Sequence, residues 1–163
     1  IQKGYFLQGE NKVLPSSFEI NHSMDVQEGD ILITRAGPLN RTGIVCRVKE
    51  LSYNLILSDK TVRLKHFADN VNGDFLVVIL NSSIIRELLV AMMSGMASSQ
   101  VNISQGNIKL SMIPLPPLEE QKAIVKKVNA LMGLCDSLEQ EVQQSQEHSE
   151  MLMQSCLREV FSN

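Results

Sequence analysis

The sequence predicts an α+β protein in two parts. Residues 1–113 read as a small mixed α/β domain, and residues 114–163 as an elbow followed by one long coiled-coil helix. Three observations lead there. Short apolar runs of strand length, Ile31–Thr34 and Thr61–Leu64 among them, are punctuated by Gly, Asp and Asn in the first part. A proline cluster at Pro114, Pro116 and Pro117 then interrupts the chain. Beyond it Pro is absent, Gly133 is the one Gly, and small or apolar residues recur at Ile124, Val128, Leu131, Cys135, Leu138, Val142, Ser145, Ser149, Leu152 and Cys156.

The steps along that last series alternate four and three, which is a heptad seam. Val128, Cys135 and Val142 take position a, and Ile124, Leu131, Leu138 and Leu152 take position d. At 1.5 Å per residue the helix would run about 65 Å. A domain of 113 residues cannot cover such a rod, so the expectation is that it projects and that its stripe meets another helix. Ser145 and Ser149 interrupt the seam and Gly133 loosens it, a place to specify register or accept another protein. Lys122, Lys126 and Lys127 lie early in the rod, with Glu139, Glu141, Glu147 and Glu150 further on. Two copies in antiparallel pairing would bring basic ends toward acidic ends; the same charges also suit a plain solvated face.

The elbow has a local explanation. Pro117 suits the first helical position, where no N–H partner exists to lose. Glu119 and Glu120 favour the positive end of the helix dipole, and Pro114 and Pro116 keep the preceding residues extended.

Composition narrows the function class. The 163 residues are 44% hydrophobic, with 15 Lys+Arg against 18 Asp+Glu, net −3. Residues 1–113 carry 11 basic and 10 acidic residues, net +1; residues 114–163 carry 4 and 8, net −4. An acidic rod suits protein better than nucleic acid, and a near-neutral domain must show local clusters to argue for DNA. No run approaches the ~20 apolar residues of a membrane span, and no signal peptide pattern is present, so a cytoplasmic protein is expected. A chain opening on Ile1 reads as a piece excised from a longer one. Cys46, Cys135 and Cys156 form no disulfide framework or metal motif, and His22, His66 and His148 are scattered. The cysteines on the seam read as small core residues.

In chain order, residues 1–20 are irregular, with a short strand possible at Tyr5, Phe6 and Leu7. Ile31–Thr34 follows a Gly29-Asp30 turn and is predicted to pair with a strand over 43–48. The loop between them holds Arg35, Asn40, Arg41 and Thr42. Arg and Asn read guanine and adenine edges, and Arg clamps phosphate; the plain reading is a solvated loop. Residues 55–57 and Thr61–Leu64 are predicted to pair around Ser58, Asp59 and Lys60. Lys60, Arg63, Lys65 and His66 make the densest basic cluster, with Arg63 and Lys65 expected on one strand face. That face is either a phosphate-contacting surface or the polar side of an amphipathic strand. An apolar stretch over 75–80 ends in Asn81, Ser82 and Ser83 as a cap. Ile84, Ile85, Leu88, Leu89, Met92, Met93 and Met96 then trace a buried helix ending near Gly95. The segment 98–105 is polar, and its Gln100 and Asn102 either contact DNA or satisfy backbone in a tight loop.

The elbow 114–121, followed by Lys122, Ala123, Ile124, Val125 and the seam, resembles the conserved region of the DNA specificity subunit of type I restriction–modification systems. Residues 29–37 (GDILITRAG) and the Gly95-x-x-x-x-Gln100-x-Asn102-Ile103-Ser104 segment resemble the same family. The resemblance covers most of residues 25–161 and is loose over 1–24. It implies one target recognition domain, truncated at its N-terminus, and one conserved helix: half of a subunit that pairs with a second half or with itself. The implied partners are double-stranded DNA, methyltransferase subunits that bind S-adenosylmethionine, and restriction subunits in the full complex. It implies that the chain is not an enzyme and takes no cofactor or metal. No Gly-rich phosphate loop, nucleophile elbow or paired-carboxylate site argues otherwise. The competing reading is a coiled-coil adaptor without a nucleic-acid role.

Overall fold

β1 (Ile31–Thr34) is the central strand of an antiparallel sheet of order β3-β1-β4, with β3 at Val45–Arg47 and β4 at Thr61–Leu64. The computed structural model describes residues 1, 4–66 and 69–161. Apolar residues alternate across a strand, so a run of three in β1 must be covered on both faces. Ile31 and Ile33 pack with Val45 of β3 against α1 (Gly73–Leu80) and α2 (Ser83–Ala91), through Leu76, Leu80, Ile85 and Leu89. Leu32 and Cys46 face the other way, into a second core with Val26, Val48, Phe6, Leu51, Leu55 and Leu57.

The second core explains one departure from expectation. Residues 55–57 do not pair with β4: Leu55 accepts from Val26 N–H (2.8 Å), Leu57 N–H donates to Met24 (2.9 Å), and Ile56 bridges Asp25. β4 pairs instead with β1, Leu32 opposite Arg63. The intervening turn is the same either way; which neighbour offers a free edge and a buried face is a tertiary matter. Cys46 is fully buried, and burial pushes its thiol up to about 11. Cys135 and Cys156 are exposed. A disulfide reagent under native conditions should therefore label Cys135 and Cys156 within minutes and spare Cys46; equal labelling of all three would show that the second core is not closed.

The apolar stretch 75–80 is part of α1. Asn72 caps it, accepting from Phe75 N–H at 3.0 Å. The expected cap after it divides its work. Asn81 ends α1 and clasps the outer edge of β3, accepting from Val45 N–H (3.0 Å) and donating to Val45 O (2.8 Å). Ser82 precedes α2 without a side-chain cap; its hydroxyl donates back to Ile79 O. α2 stops at Ala91 rather than near Gly95. Gly95, at φ +153°, lies in β5 (Ser94–Ala97), where a Cβ would sit 2.5 Å from Gln100 O. Only Gly permits that approach. β5 turns into β6 (Gln100–Asn102), and β2 (Ala36–Gly37) completes a second sheet of order β2-β6-β5. Residues 5–7 form no strand beyond an isolated bridge at Tyr5; Phe6 packs against the second core.

After α3 (Gln105–Leu110) the chain enters α4 (Leu118–Phe161). Pro117 stands one residue ahead of the helix, its carbonyl accepting from Gln121 N–H at 3.0 Å. The chain divides into two compact units, Ile1–Lys122 and Ala123–Asn163, so the elbow and the first turn of α4 belong to the first. Gln121 is fully buried there: its amide donates to Asn70 O (3.0 Å) and Pro116 O (2.8 Å) and accepts from Asn72 N–H (2.8 Å). Among its described residues the second unit is helix alone. Its seam residues Leu131, Leu138, Val142 and Leu152 are 50–64% exposed, and Ile124 and Val128 are half-buried. No described helix is long and apolar enough to cross a membrane.

Candidate nucleic-acid interface

Arg35 sits between β1 and β2, where the two sheets meet. Its N–H donates to Lys60 O and its carbonyl accepts from Ile103 N–H, both at 2.8 Å. One residue thus joins the loop before β4 to the end of β6. The side chain is half-buried, with a buried Nε that has no hydrogen-bond partner among the described residues. Antiparallel pairing then sets Ala36 opposite Asn102 and Gly37 opposite Val101, and Leu39 N–H donates to Ser98 O at 2.8 Å. Two stretches about 60 residues apart in the sequence therefore form one surface.

On that surface Val101 points inward while Gln100 and Asn102 are exposed on the opposite face, as period-2 alternation requires. Neither amide bonds another described side chain, leaving donors and acceptors open. Asn40 is exposed at the loop tip. Arg41 is exposed but lies 3.5 Å from the Glu10 carboxylate, an ion pair that any anionic ligand must compete with.

Three expected contacts sit elsewhere. Thr42 is fully buried, and its hydroxyl donates to Pro38 O at 3.0 Å. It shapes the loop from within and presents nothing outward. Arg63 and Lys65 do not share an exposed face. Arg63 projects beside Leu32, where its Nε is 2.9 Å from Asp30 and its guanidinium donates to Asp25 O. Both side chains of that ion pair are largely covered, 21% and 13% exposed, so its charge is spent internally. Lys65 is exposed past the end of β4, and Lys60 is exposed in the turn before it. Among the described basic candidates, Arg35, Lys60 and Lys65 carry charge without a carboxylate partner.

One contributor was not legible in the sequence. Arg86, on α2, donates Nη1 to Thr42 O and Nη2 to Leu39 O (2.5 Å), bracketing Asn40 and Arg41 from below. Burial lowers its pKa from the usual arginine value. The one available signal was a lone Arg beside the apolar stripe of residues 84–93.

Comparison with known proteins bears on this arrangement. Residues 2–147 match the family described as the type I restriction modification DNA specificity domain. The chain is 36% identical over 147 residues, 90% of its length, to the type I restriction enzyme EcoEI specificity subunit of Escherichia coli. It is 28% identical over 163 residues to the EcoKI specificity subunit of E. coli strain K12. The crystal structure of the HsdS subunit from Thermoanaerobacter tengcongensis superposes with a TM-score of 0.65 at 28% identity, covering 85% of this chain and 35% of that one. The chain spans 25% of the EcoEI subunit and 35% of the EcoKI subunit. With its two small sheets, its proline elbow and its long C-terminal helix, this chain belongs to the type I restriction–modification DNA specificity family.

Proposed function

We propose that the chain reads one half of a bipartite double-stranded DNA target and docks methyltransferase subunits through α4, in the cytoplasm, as a non-catalytic subunit. The pairing of β2 with β6 carries the DNA reading. It brings the strand carrying the exposed Gln100 and Asn102 next to the loop carrying Asn40, and Arg35 links both by backbone bonds to Lys60, which supplies base-reading amides and phosphate-attracting cations in one region. Lys65 adds charge nearby in the sequence, and Arg41 joins if DNA phosphate displaces Glu10. The seam of α4, half-buried at Ile124 and Val128 and exposed at Leu131, Cys135, Leu138, Val142 and Leu152, supports a helical partner. A lone helix gains nothing from such a stripe in water.

Labour is then divided. The methyltransferase subunits bind S-adenosylmethionine and extrude the target base, with restriction subunits joining in the full complex. This chain supplies the address. Two recognition units joined by antiparallel helices, from a second half or a second copy, would read two sites separated by about one helical turn (~34 Å). The exposed seam alone would suit a coiled-coil adaptor, but membership in the specificity family weighs against that reading.

The test is reconstitution with the cognate methyltransferase and a methylation map. Alone, the chain should methylate nothing; with its partner it should direct methylation to one target. Exchange of residues 1–113 for another recognition domain should move methylation to a new sequence. An unchanged map after that exchange would sink the reading, as would methylation without the partner.

A further inference from the structure

We propose that Arg86 is a positioning residue for the reading loop, holding residues 39–42 in the conformation that presents Asn40 and Arg41. The inference rests on the reading of this loop as part of the DNA interface. α2 buries Ile85 and Leu89 in the main core, which fixes the helix and leaves Arg86 on the adjoining face toward the loop. Its guanidinium fork reaches two carbonyls, Thr42 O and Leu39 O, on either side of the two presented residues. No carboxylate lies within ion-pair distance among the described residues, so carbonyl dipoles alone answer the charge.

The rest of the loop is tied in the same inward sense. Thr42 N–H and hydroxyl both reach Pro38 O, Arg41 N–H donates to Pro38 O, and Thr34 Oγ1 donates to Arg41 O. Inward carbonyls at 38, 39, 41 and 42 leave the side chains of Asn40 and Arg41 outside. Gly43 completes the fit: at φ +78° it carries the chain away, and a Cβ there would stand 2.7 Å from Arg86 Nη1. Lys cannot replace the fork, since its ammonium is a point donor without a planar pair. Arg86 reaches the loop from beneath and therefore acts through it, without touching DNA.

The experiment uses the chain assembled with its methyltransferase and compares Arg86→Lys, Gly43→Ala, Asn40→Ala and Arg41→Ala. Methylation kcat/KM is measured on the mapped target and on each single-base variant of it. Affinity for non-target DNA is measured across salt, all below each variant's own unfolding transition. Arg86→Lys should lower target-over-variant discrimination about tenfold, the scale of one well-placed hydrogen bond. Non-target affinity and salt slope should stay unchanged. Gly43→Ala should do the same, because its Cβ would crowd the Arg86 guanidinium and strain the loop backbone at φ +78°. Unchanged discrimination in Arg86→Lys would overturn the proposal. A salt slope reduced by about one would also overturn it, because Arg86 would then be contacting phosphate itself. If Asn40→Ala and Arg41→Ala leave both affinity and discrimination unaltered, the loop is not at the DNA, and the underlying reading is what fails.

Discussion

Gln121→Glu should destabilise the first unit by about 3–5 kcal/mol at pH 7, the scale of an unpaired buried charge. Gln121 is fully buried, and its amide nitrogen donates to two carbonyls, Asn70 O and Pro116 O. A carboxylate has no proton for either and would set its charge against both. Only the bond accepted from Asn72 N–H would survive. Those groups join the elbow to the cap of α1, the helix whose Leu76 and Leu80 fill the main core. The damage is thus at a junction that many contacts depend on. Gln121→Ala should cost less, about 1–3 kcal/mol, because it leaves groups unpaired but buries no charge.

The pH dependence is a separate check. Burial beside carbonyls raises the introduced carboxyl's folded pKa above its unfolded value of about 4.3. Between those two values the folded state holds the extra proton, so the variant loses stability as pH rises. The deficit relative to the native chain should be smallest near pH 4 and widen toward neutrality. Urea unfolding at pH 4, 5.5 and 7 reads it. A variant as stable as the native chain at pH 7 would show that the Gln121 amide does not make these bonds.

Leu131→Asp combined with Leu138→Asp should abolish docking while leaving the first unit untouched. Both leucines are about half-exposed, 50% and 52%, so the single chain loses almost no packing. In a coiled coil each d-position leucine would be buried, worth about 1.5–3 kcal/mol. Removing two and adding two carboxylates to an already acidic helix should weaken association by roughly a thousandfold or more. Asn129→Asp combined with Gln140→Glu, both off the seam and exposed, is the matched charge control. Sedimentation and pull-down with the methyltransferase give the result, and unfolding of the first unit gives the baseline. Unchanged assembly in the double variant would remove the claim that this seam binds a partner.

These predictions draw on different kinds of information. The seam was readable because a heptad is periodic: each residue's place follows from neighbours three and four positions away. The elbow was readable because Pro acts on its own dihedral and the residue before it. Pairing of β1 with a strand near 43–48 follows from a short connection between two apolar runs. Gln121 lay in plain view in the elbow, yet its partners at Asn70 and Asn72 are some 50 residues back. No spacing rule points to them. The same holds for Arg86 and its carbonyls, 44 and 47 residues away.

By itself, the sequence determined the elements that depend on local dihedrals and on periodic apolar placement: the long helix, the elbow, the strand Ile31–Thr34, and the motifs that match the specificity family. Tertiary structure decided which segments became neighbours. It paired β4 with β1 and left 55–57 to the second core. It joined Ala36–Gly37 to Gln100–Asn102, which makes one surface of two distant stretches. It also decided which cations remain available, holding Arg63 against Asp30 and burying Thr42 while leaving Asn40, Gln100 and Asn102 exposed. The reason is physical. Whether a polar group faces water or a partner depends on what folds against it, and that neighbour comes from a part of the chain no local pattern can reach.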